Sequence, residues 1–305
     1  MNVKSFLNYV SPRLLTSLQF FYHFHKPLNW FRPKDLNEKI NWLKFNSDTS
    51  LWTLCADKYR VRQYIHEKGL DDTLVKLYGV WEKAEDVDWD SLPDSFVLKT
   101  NNGSGDILVC KDKNKLDIEN TVKKYSALLS KSFSETNGEP HYAAMKPCMI
   151  AEEVLDCKKQ PIETDTLIDY KIWCFDGKPH HIWACFNRHQ GSVEVATYDL
   201  DWKRHDECSV FTSHYKQAQS DLPKPVSLDK MLEIVSKLSC GIPQVRVDLY
   251  EVDGKPYFGE MTFSSAGGFM NFYTSQFLRE MGDLVDLSLA KRKKRRDVRQ
   301  NSFFS

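Results

Sequence analysis

The sequence predicts an α+β fold, because stretches of helical periodicity alternate with short apolar runs that have the length and turn signals of strands. Residues 96–99 and 107–110 are two such runs, joined by a polar loop rich in glycine and asparagine. A second pair, residues 244–252 and 256–263, flanks Asp253-Gly254-Lys255, a hairpin signal. Both pairs predict antiparallel strands.

The other predicted elements complete this pattern. The first 55 residues are rich in aromatic side chains and interrupted by prolines, which predicts short helices. Residues 57–69 have the ends of a helix, since Asp57 can cap its first turn and Gly69 can end it. Residues 132–144 form a polar loop, further helices are expected at 117–131 and 227–239, and further strands at 148–155, 168–175, 179–187 and 193–199.

Charge is balanced over the whole chain but not along it. The 305 residues include 42 basic and 42 acidic side chains, so the net charge is zero and does not favour binding to nucleic acid. Six basic residues form one run at positions 291–296, inside a tail (residues 290–305) that lacks periodicity. We expect a disordered tail there, and a tether to anionic lipid or polymer remains the alternative.

Cysteine usage and hydropathy favour a cytoplasmic protein. The eight cysteines form no CxxC pair and several lie in apolar, strand-like runs, which predicts buried reduced thiols. The N-terminus lacks the continuous apolar segment of a signal peptide. No window of about 18 apolar residues predicts a membrane-spanning helix.

A candidate phosphate-binding loop follows Lys99, the last residue of a predicted strand. Its glycines and asparagines allow close backbone approach, so that successive amides can point at an anion whose charge Lys99 balances. The Walker A pattern is absent, and residues of this kind more often mark a plain hairpin turn. Lys58, near the start of a predicted helix, is a second candidate, although it can also be a solvated surface residue. The loop residues concerned are Asn102, Gly103, Ser104 and Gly105.

The hairpin at residues 244–263 predicts a metal site. With a three-residue loop, Asp248 lies opposite Glu260 and Arg246 opposite Thr262. Two carboxylates directly opposite each other repel, and a bound divalent cation removes this repulsion. We therefore expect Asp248 and Glu260 to bind Mg²⁺, with Arg246 beside a transferring phosphoryl group.

Two alternatives remain open for this hairpin. A two-residue turn would place Asp248 and Glu260 on opposite faces of the sheet, and a charged face can also be merely solvated. In the three-residue arrangement the other face is apolar and belongs to the core. Its residues are Val245, Val247 and Leu249 from one strand and Tyr257, Met261 and Phe263 from the other.

Short motifs, taken in order, resemble the TupA-like family of the ATP-grasp superfamily over roughly residues 30–285. Each motif alone is unspecific, whereas their combination is specific. The family is associated with teichuronopeptide and surface-polysaccharide biosynthesis. The motifs are Leu36-Asn37-Glu38-Lys39-Ile40, Trp42-Leu43-Lys44, Ala56-Asp57-Lys58-Tyr59, Phe96-Val97-Leu98-Lys99, Asp169-Tyr170-Lys171 and Gly259-Glu260-Met261-Thr262-Phe263.

The resemblance implies an ATP-grasp fold, in which two α+β subdomains grip ATP between mainly antiparallel sheets. It implies a short helical N-terminal segment at 1–55, a small subdomain with the phosphate loop at 56–148 and a large subdomain with the metal site at 149–289. The basic tail at 290–305 would follow them.

The resemblance also implies site residues. Lys58 and Lys99 would bind the ATP phosphates from two sides, under a flap formed by residues 102–105. Asp248 and Glu260 would bind Mg²⁺. The adenine and ribose or phosphate contacts are implied at Glu152, Glu153, Leu155, Asp169 and Lys171.

One position departs from the wider superfamily. Thr262 occupies a metal-binding position that is commonly asparagine. A hydroxyl is a poorer metal ligand than an amide carbonyl, so occupancy by a second ion is in doubt.

The expected activity is that of an ADP-forming ligase using ATP and Mg²⁺. A carboxylate would be phosphorylated to an acyl phosphate, which an amine then attacks, with Lys99 and Arg246 neutralising charge. The expected partners are a uronic acid or amino acid carboxylate and an amine donor, without nucleic acid.

Three other classes remain open. A glycosyltransferase could use the Asp-x-Asp motifs at residues 88–90 or 199–201, a kinase could use the same ATP site on a hydroxyl, and a scaffold could bind ATP without turnover. His180-His181 fits a structural role better than a metal site. Ser264–Gly268 is either a simple turn or a backbone nest for the acceptor.

Overall fold

The computed structural model describes residues 8–103, 106–130, 138–189 and 191–291. The N-terminal part is helical, as predicted. Helix α1 begins after Ser11, whose hydroxyl accepts a hydrogen bond from the Leu14 amide at 3.2 Å. None of the helices in the described ranges combines the length and apolarity needed to cross a membrane. The helices whose bounds lie within the described residues of this part are α1 (Pro12–Phe24), α2 (Leu36–Asn46), α3 (Ser50–Ala56) and α4 (Val61–Glu67).

Helix α4 is shorter than the predicted helix at 57–69. It begins at Val61, because the amides of Tyr59 and Arg60 turn back to the Asp57 carboxylate, each at 2.9 Å. Asp57 therefore holds a turn before the helix instead of capping the helix itself. At the other end, Gly69 has a φ of +67° and follows the last helical turn as predicted.

A small antiparallel sheet has the strand order β1-β4-β2-β3. The predicted β2–β3 hairpin is confirmed, and β1 was not predicted because Gly79 interrupts a short run. Helix α5 (Ile118–Leu129) covers one face, where the Tyr125 hydroxyl lies 2.9 Å from the Leu98 carbonyl and 2.8 Å from that of Asp106. The strands are β1 (Leu77–Trp81), β2 (Phe96–Thr100), β3 (Leu108–Cys110) and β4 (Met149–Glu152).

The subdomain boundary predicted at residue 149 lies inside this small sheet. Strand β4 begins at Met149 and pairs with β1 and β2, so the chain passes to the second sheet between Glu152 and Asp169. The predicted loop at 132–144 contains a helical turn, α6 (Pro140–Ala143), and its residues 132–137 lie outside the described residues.

A larger sheet has the order β10-β9-β5-β6-β7-β8, antiparallel except for the β7–β8 pair. Helix α7 (Leu228–Ser239) packs on it through apolar residues at helical spacing. Strand β8 was not predicted because it is short and polar, and neither was helix α8 (Ser275–Leu284). The strands are β5 (Asp169–Phe175), β6 (Lys178–His189), β7 (Ser192–Tyr198), β8 (Tyr215–Gln217), β9 (Val245–Val252) and β10 (Lys255–Thr262).

Helix α2 joins the N-terminal segment to the large sheet. Leu36, Ile40 and Leu43 are buried in the core of that sheet. A polar stripe of the same helix, defined as Asn37, Asn41 and Lys44, holds the backbone that follows β10. Asn37 bonds the amide and carbonyl of Met270, each at 2.9 Å, Asn41 donates to the Gly268 carbonyl at 2.8 Å, and Lys44 donates to that of Gly267 at 2.7 Å.

The β9–β10 hairpin has a two-residue turn, so the predicted three-residue loop is wrong. Asp253 and Gly254 both have positive φ, at 56° and 68°, and Lys255 pairs with Val252. A β-bulge at Gly259 then shifts the register by one residue, which restores the pairs Glu260–Asp248 and Thr262–Arg246.

The bulge also changes which residue of β10 enters the core. Phe258 is buried in the core of the large sheet, where Tyr257 was expected, because Phe258 precedes the register shift. Tyr257 instead pairs with Tyr250. The other predicted core positions of the hairpin are buried as expected.

We predict that Gly259→Ala lowers the free energy of unfolding by about 1–3 kcal/mol, because overpacking strains the bulge. An added Cβ would lie 2.9 Å from the Asp248 carbonyl oxygen and 3.0 Å from the Tyr250 ring. Urea unfolding measures the loss. Gly254→Ala is the control, since its Cβ meets open space and costs only backbone strain at φ +68°. Unshifted amide resonances of Asp248 and Glu260 in Gly259→Ala would contradict the role of the bulge.

Candidate active site

Three neighbouring strands bring charged side chains together on one face of the large sheet. Lys171 on β5 pairs with Asp248 on β9, which in turn pairs with Glu260 on β10. Arg246 and Thr262 form the adjacent pair. Because side chains alternate across a strand, these residues face the same side.

Arg246 is the centre of this cluster. Its Nε and Nη2 atoms bind the two oxygens of Asp248, each at 2.7 Å, in a bidentate pair. Nη2 also lies 3.0 Å from Glu260 Oε1 and 3.1 Å from Thr262 Oγ1, and Nη1 lies 2.9 Å from Ser265 Oγ. The Thr262 hydroxyl lies 3.0 Å from Glu260 Oε1, so it orients the carboxylate.

Lys171 balances two buried carboxylates. Its ammonium lies 2.5 Å from Asp169 Oδ2 and also contacts Asp248 Oδ2. Asp169 binds Arg188 at 3.1 Å as well, while its second oxygen is buried and has no hydrogen-bond partner. Lys171 is thus the cation that the two aspartates share.

The pKa shifts follow from burial and these neighbours. Burial raises the pKa of Asp248 to about 6, against the pull of Arg246 and Lys171. Burial alone would raise the pKa of Glu260 too, but Lys171, Arg246 and Lys58 outweigh it and hold that pKa well below its usual range. Glu260 is therefore a permanent anion at neutral pH.

Lys99 approaches from strand β2 of the small sheet, and Lys58 approaches from the turn before α4. Lys99 lies 2.6 Å from Glu152 Oε2, and Arg62 supports the same carboxylate at 3.4 Å. Lys58 donates to the Gly103 carbonyl at 2.5 Å. Burial lowers the pKa of Lys58, and Glu260 is the strongest of the charges that oppose this shift.

The phosphate-loop candidate is anchored at its base. Asn101, which sequence reasoning did not single out, donates to Asp57 at 2.7 Å and accepts from the Cys148 amide at 2.9 Å. These bonds fix Lys99 and Lys58 relative to each other. Asn102 is buried and Gly103 borders a cavity, whereas the predicted Ser104 and Gly105 lie outside the described residues.

An apolar cavity of about 300 Å³ lies between the two sheets. Lys99, Glu152, Glu153, Leu155 and Asp169, all predicted, are part of its wall. The sequence did not identify the rest of the wall, although Ile107 and Val109 are more than half exposed, which an apolar ligand would explain. These further residues include Val97, Ile107, Val109, Leu167, Arg188 and Phe258.

A second, polar cavity of about 460 Å³ lies beside the charged cluster. Lys58, Arg246 and Glu260 are part of its wall, as are Glu139 and Ser264. The side-chain oxygens of Glu139 and Ser264 lie 2.5 Å apart. Neither Glu139 nor this cavity was predicted, because residues distant in sequence form it.

Ser264–Gly268 forms one edge of this second cavity as a tight turn. Ala266, Gly267 and Gly268 all have positive φ, and the amides of Gly267 and Phe269 donate back into the turn. Its carbonyls bind the polar stripe of α2 described above. The turn explanation of this segment fits these bonds.

The donor chemistry of the hairpin fits a hard divalent cation only in part. Carboxylate and hydroxyl oxygens of Asp248, Glu260 and Thr262 suit Mg²⁺. Both Asp248 oxygens are already bound by cations, so a metal at Asp248 would compete with Lys171 and Arg246 for this carboxylate. Within the described ranges no cluster of three or more histidine, cysteine or acidic residues is arranged to hold a metal.

The motifs behind the alternative predictions have structural explanations. Asp88 and Asp199 accept hydrogen bonds from the amides of their own turns. His181 is buried, with its Nε2 atom 3.0 Å from the Tyr273 hydroxyl, and His180 lies beside it. None of these residues borders the two cavities.

An apolar cavity between two mainly antiparallel sheets, with Lys99 on its wall and the arginine–carboxylate hairpin in the larger sheet, is the architecture of the ATP-grasp class. The sequence places the chain more narrowly. It matches the TupA-like ATP-grasp family over residues 38–286 and therefore belongs to that family, which confirms the predicted resemblance.

Solved structures with similar folds include ligases. D-alanine–D-alanine ligase from Bacillus anthracis is 18% identical, with a TM-score of 0.44 over 79% of this chain and 68% of that chain. A D-cycloserine synthetase is 14% identical, with a TM-score of 0.46 over 91% and 94%. Phosphoribosylamine–glycine ligase from Thermotoga maritima is 13% identical, with a TM-score of 0.42 over 72% and 50%. No curated protein matches the sequence significantly.

We predict that Lys171→Met destabilises the protein by about 3 kcal/mol or more, because it leaves Asp169 and Asp248 without their shared cation. Without Lys171, burial raises the folded-state pKa of Asp248 further above its unfolded value, so the native state binds more protons than the unfolded state. The loss should therefore shrink as the pH falls from 7 towards 5. Urea unfolding at several pH values measures it.

Lys159→Met is the matched control for this prediction. Its ion pair with Asp253 is exposed on both sides, so its removal should cost less than about 1 kcal/mol. Equal losses in the two variants, or a loss in Lys171→Met that does not depend on pH, would contradict the shared-cation role.

Proposed function

We propose that this protein is an ATP- and Mg²⁺-dependent, ADP-forming ligase that joins a carboxylate to an amine through an acyl phosphate. The observation that carries the proposal is an apolar cavity and a polar cavity whose walls carry neighbouring lysines. The apolar cavity suits adenine and ribose, and the polar cavity suits a second substrate. Lys58, Arg246 and Glu260 line the polar cavity, Lys99 lines the apolar one, and both lysines border one smaller cavity, where they would hold a γ-phosphate within reach of the second substrate.

Different residues of the chain bind the phosphates, neutralise developing charge and hold the metal during phosphoryl transfer. Lys99 and Lys58 hold the phosphates, and Arg246 neutralises charge that develops on the transferring group. Glu260 and Thr262, with Asp248 once its cations rearrange, hold Mg²⁺, which supplies further charge neutralisation when bound. The γ-phosphate bond to ADP breaks as a substrate carboxylate oxygen forms its bond to phosphorus.

The second half of the reaction requires a neutral amine. An ammonium group loses a proton to a base, its nitrogen attacks the acyl carbon, and inorganic phosphate leaves. Glu139 is a carboxylate on the wall of the polar cavity, and burial raises its pKa while Lys44 opposes this shift. We assign Glu139 as that base, because a raised pKa strengthens a carboxylate as a proton acceptor.

The substrate class follows from the family rather than from the cavity. We infer a uronic acid or an amino acid as the carboxylate, in line with the association of the family with surface-polysaccharide biosynthesis. The polar lining of the second cavity supports a hydrophilic substrate of this kind. A cytoplasmic location is part of the same proposal.

We predict that ATP and Mg²⁺ together raise the thermal stability of the protein. Ligand at about 100 times its Kd should add roughly 2.7 kcal/mol to the folded state. Lys99→Met should lose this shift, whereas Lys115→Met, which alters an exposed lysine paired only with Asp112, should keep it. A shift with a nucleotide sugar and none with ATP would favour the glycosyltransferase instead.

We predict that Glu260→Gln lowers the turnover rate by about 100-fold or more, while the fold remains intact. The substitution keeps the size of the side chain and removes the negative charge that faces Lys58, Lys171 and Arg246. ADP release with glucuronic acid or amino acids, and hydroxylamine as the amine, measures the rate. Glu233→Gln, an exposed change on α7, is the control. An unchanged rate in Glu260→Gln would refute the proposed metal site.

A further inference from the structure

Helix α1 exposes an apolar face to solvent. Leu14, Leu18 and Phe21 are 49%, 50% and 56% exposed, and their spacing of four and three residues places them in one row along the helix. We call these three residues the apolar row. Tyr22 and Phe31 extend the surface and are 77% and 95% exposed.

This exposure is not needed to hold the helix in place. The opposite face of α1 carries Leu15 and Phe20, which are buried, and Phe20 lies 6.3 Å from the Phe269 ring. The apolar row therefore faces away from the protein although the helix already has a packed side. Exposed apolar rows of this kind mark contacts with another surface.

The surroundings of the apolar row carry an excess of positive charge, although one of the cations, Lys26, is paired with Asp35 at 2.9 Å. Residues 8–34 include Arg13, Lys26, Arg32 and Lys34, all exposed, and no aspartate or glutamate. The whole chain, in contrast, has equal numbers of basic and acidic residues. A row of apolar side chains flanked by cations matches the interface of a bilayer that contains anionic lipids.

We propose that α1 docks the protein on the surface of an anionic membrane, with the apolar row inserted at the headgroup boundary. The cations favour this occupant over a second copy of the chain, because two copies of the face would bring like charges together. The apolar row favours a membrane over a charged polymer, which offers nothing to cover it. The proposal does not depend on the ligase activity.

Docking through α1 has a consequence for the polar cavity. Gln19, on the same helix, and Phe269, which packs on it, both line that cavity. A membrane-docked protein would therefore hold the cavity close to the lipid surface. The basic tail at 291–296 is a separate candidate tether, and apart from Lys291 it lies outside the described residues.

The test is co-sedimentation of the full chain with vesicles of phosphatidylcholine, alone or mixed with phosphatidylglycerol. We expect binding to the mixed vesicles only, weakened by salt. Leu18→Glu/Phe21→Glu should reduce the partition coefficient by about tenfold or more. Val226→Glu, a change at an 87% exposed apolar residue far along the chain, is the control and should bind normally.

Two further variants separate the explanations. Leu18→Ser/Phe21→Ser removes the apolar contribution without adding charge, and it should also lose binding. A chain ending at Lys291, which lacks the rest of the basic tail, should still bind the mixed vesicles. Loss of binding only when the tail is removed would overturn the proposal, as would absence of binding to either vesicle. A dimer that Leu18→Glu/Phe21→Glu dissociates would assign the row to self-association. Thermal unfolding confirms that each variant is folded.

Discussion

The buried ion network of Arg246, Asp248 and Lys171 sets the geometry on which the rest of the site depends. Removing these groups from water costs several kcal/mol for each charge, and the cost is offset only if every partner is well placed. Lys171 comes from β5, Arg246 and Asp248 come from β9, and the neighbouring Glu260 comes from β10, so a slip of any of these three strands would leave a charge unpaired. The register of the sheet and the position of Glu260 are therefore fixed by the same bonds.

The hairpin shows why a correct pairing can follow from an incorrect turn. Alternation of charged and apolar residues in β9 and β10 predicts that Asp248 and Glu260 share a face, and the structure agrees. The two-residue turn alone would have separated them, and the bulge at Gly259 compensates. Glycine inside a strand is a known sign of a bulge, so the signal was present in the sequence.

Prediction succeeded where the information was local and failed where it was not. Strand alternation and family motifs singled out Lys99, Arg246 and Glu260, and the structure places each of them on the wall of one of the two cavities, while their roles there stay predictions. Neither could locate Glu139 or Ile107, because each gains its place from contacts between distant segments. The subdomain boundary was misplaced for the same reason, since only pairing with β1 and β2 shows to which sheet β4 belongs.

The polar stripe of α2 limits which substitutions the turn at Ser264–Gly268 can accept. Asn37, Asn41 and Lys44 hold one edge of the polar cavity through backbone carbonyls and amides. The glycines of that edge are not free to change, because Gly267 and Gly268 have positive φ and a Cβ at Gly268 would lie 2.8 Å from the Asn41 side chain. Related chains can then vary the side chain at Ser264, which borders the polar cavity at a negative φ, while the backbone of this edge keeps its path.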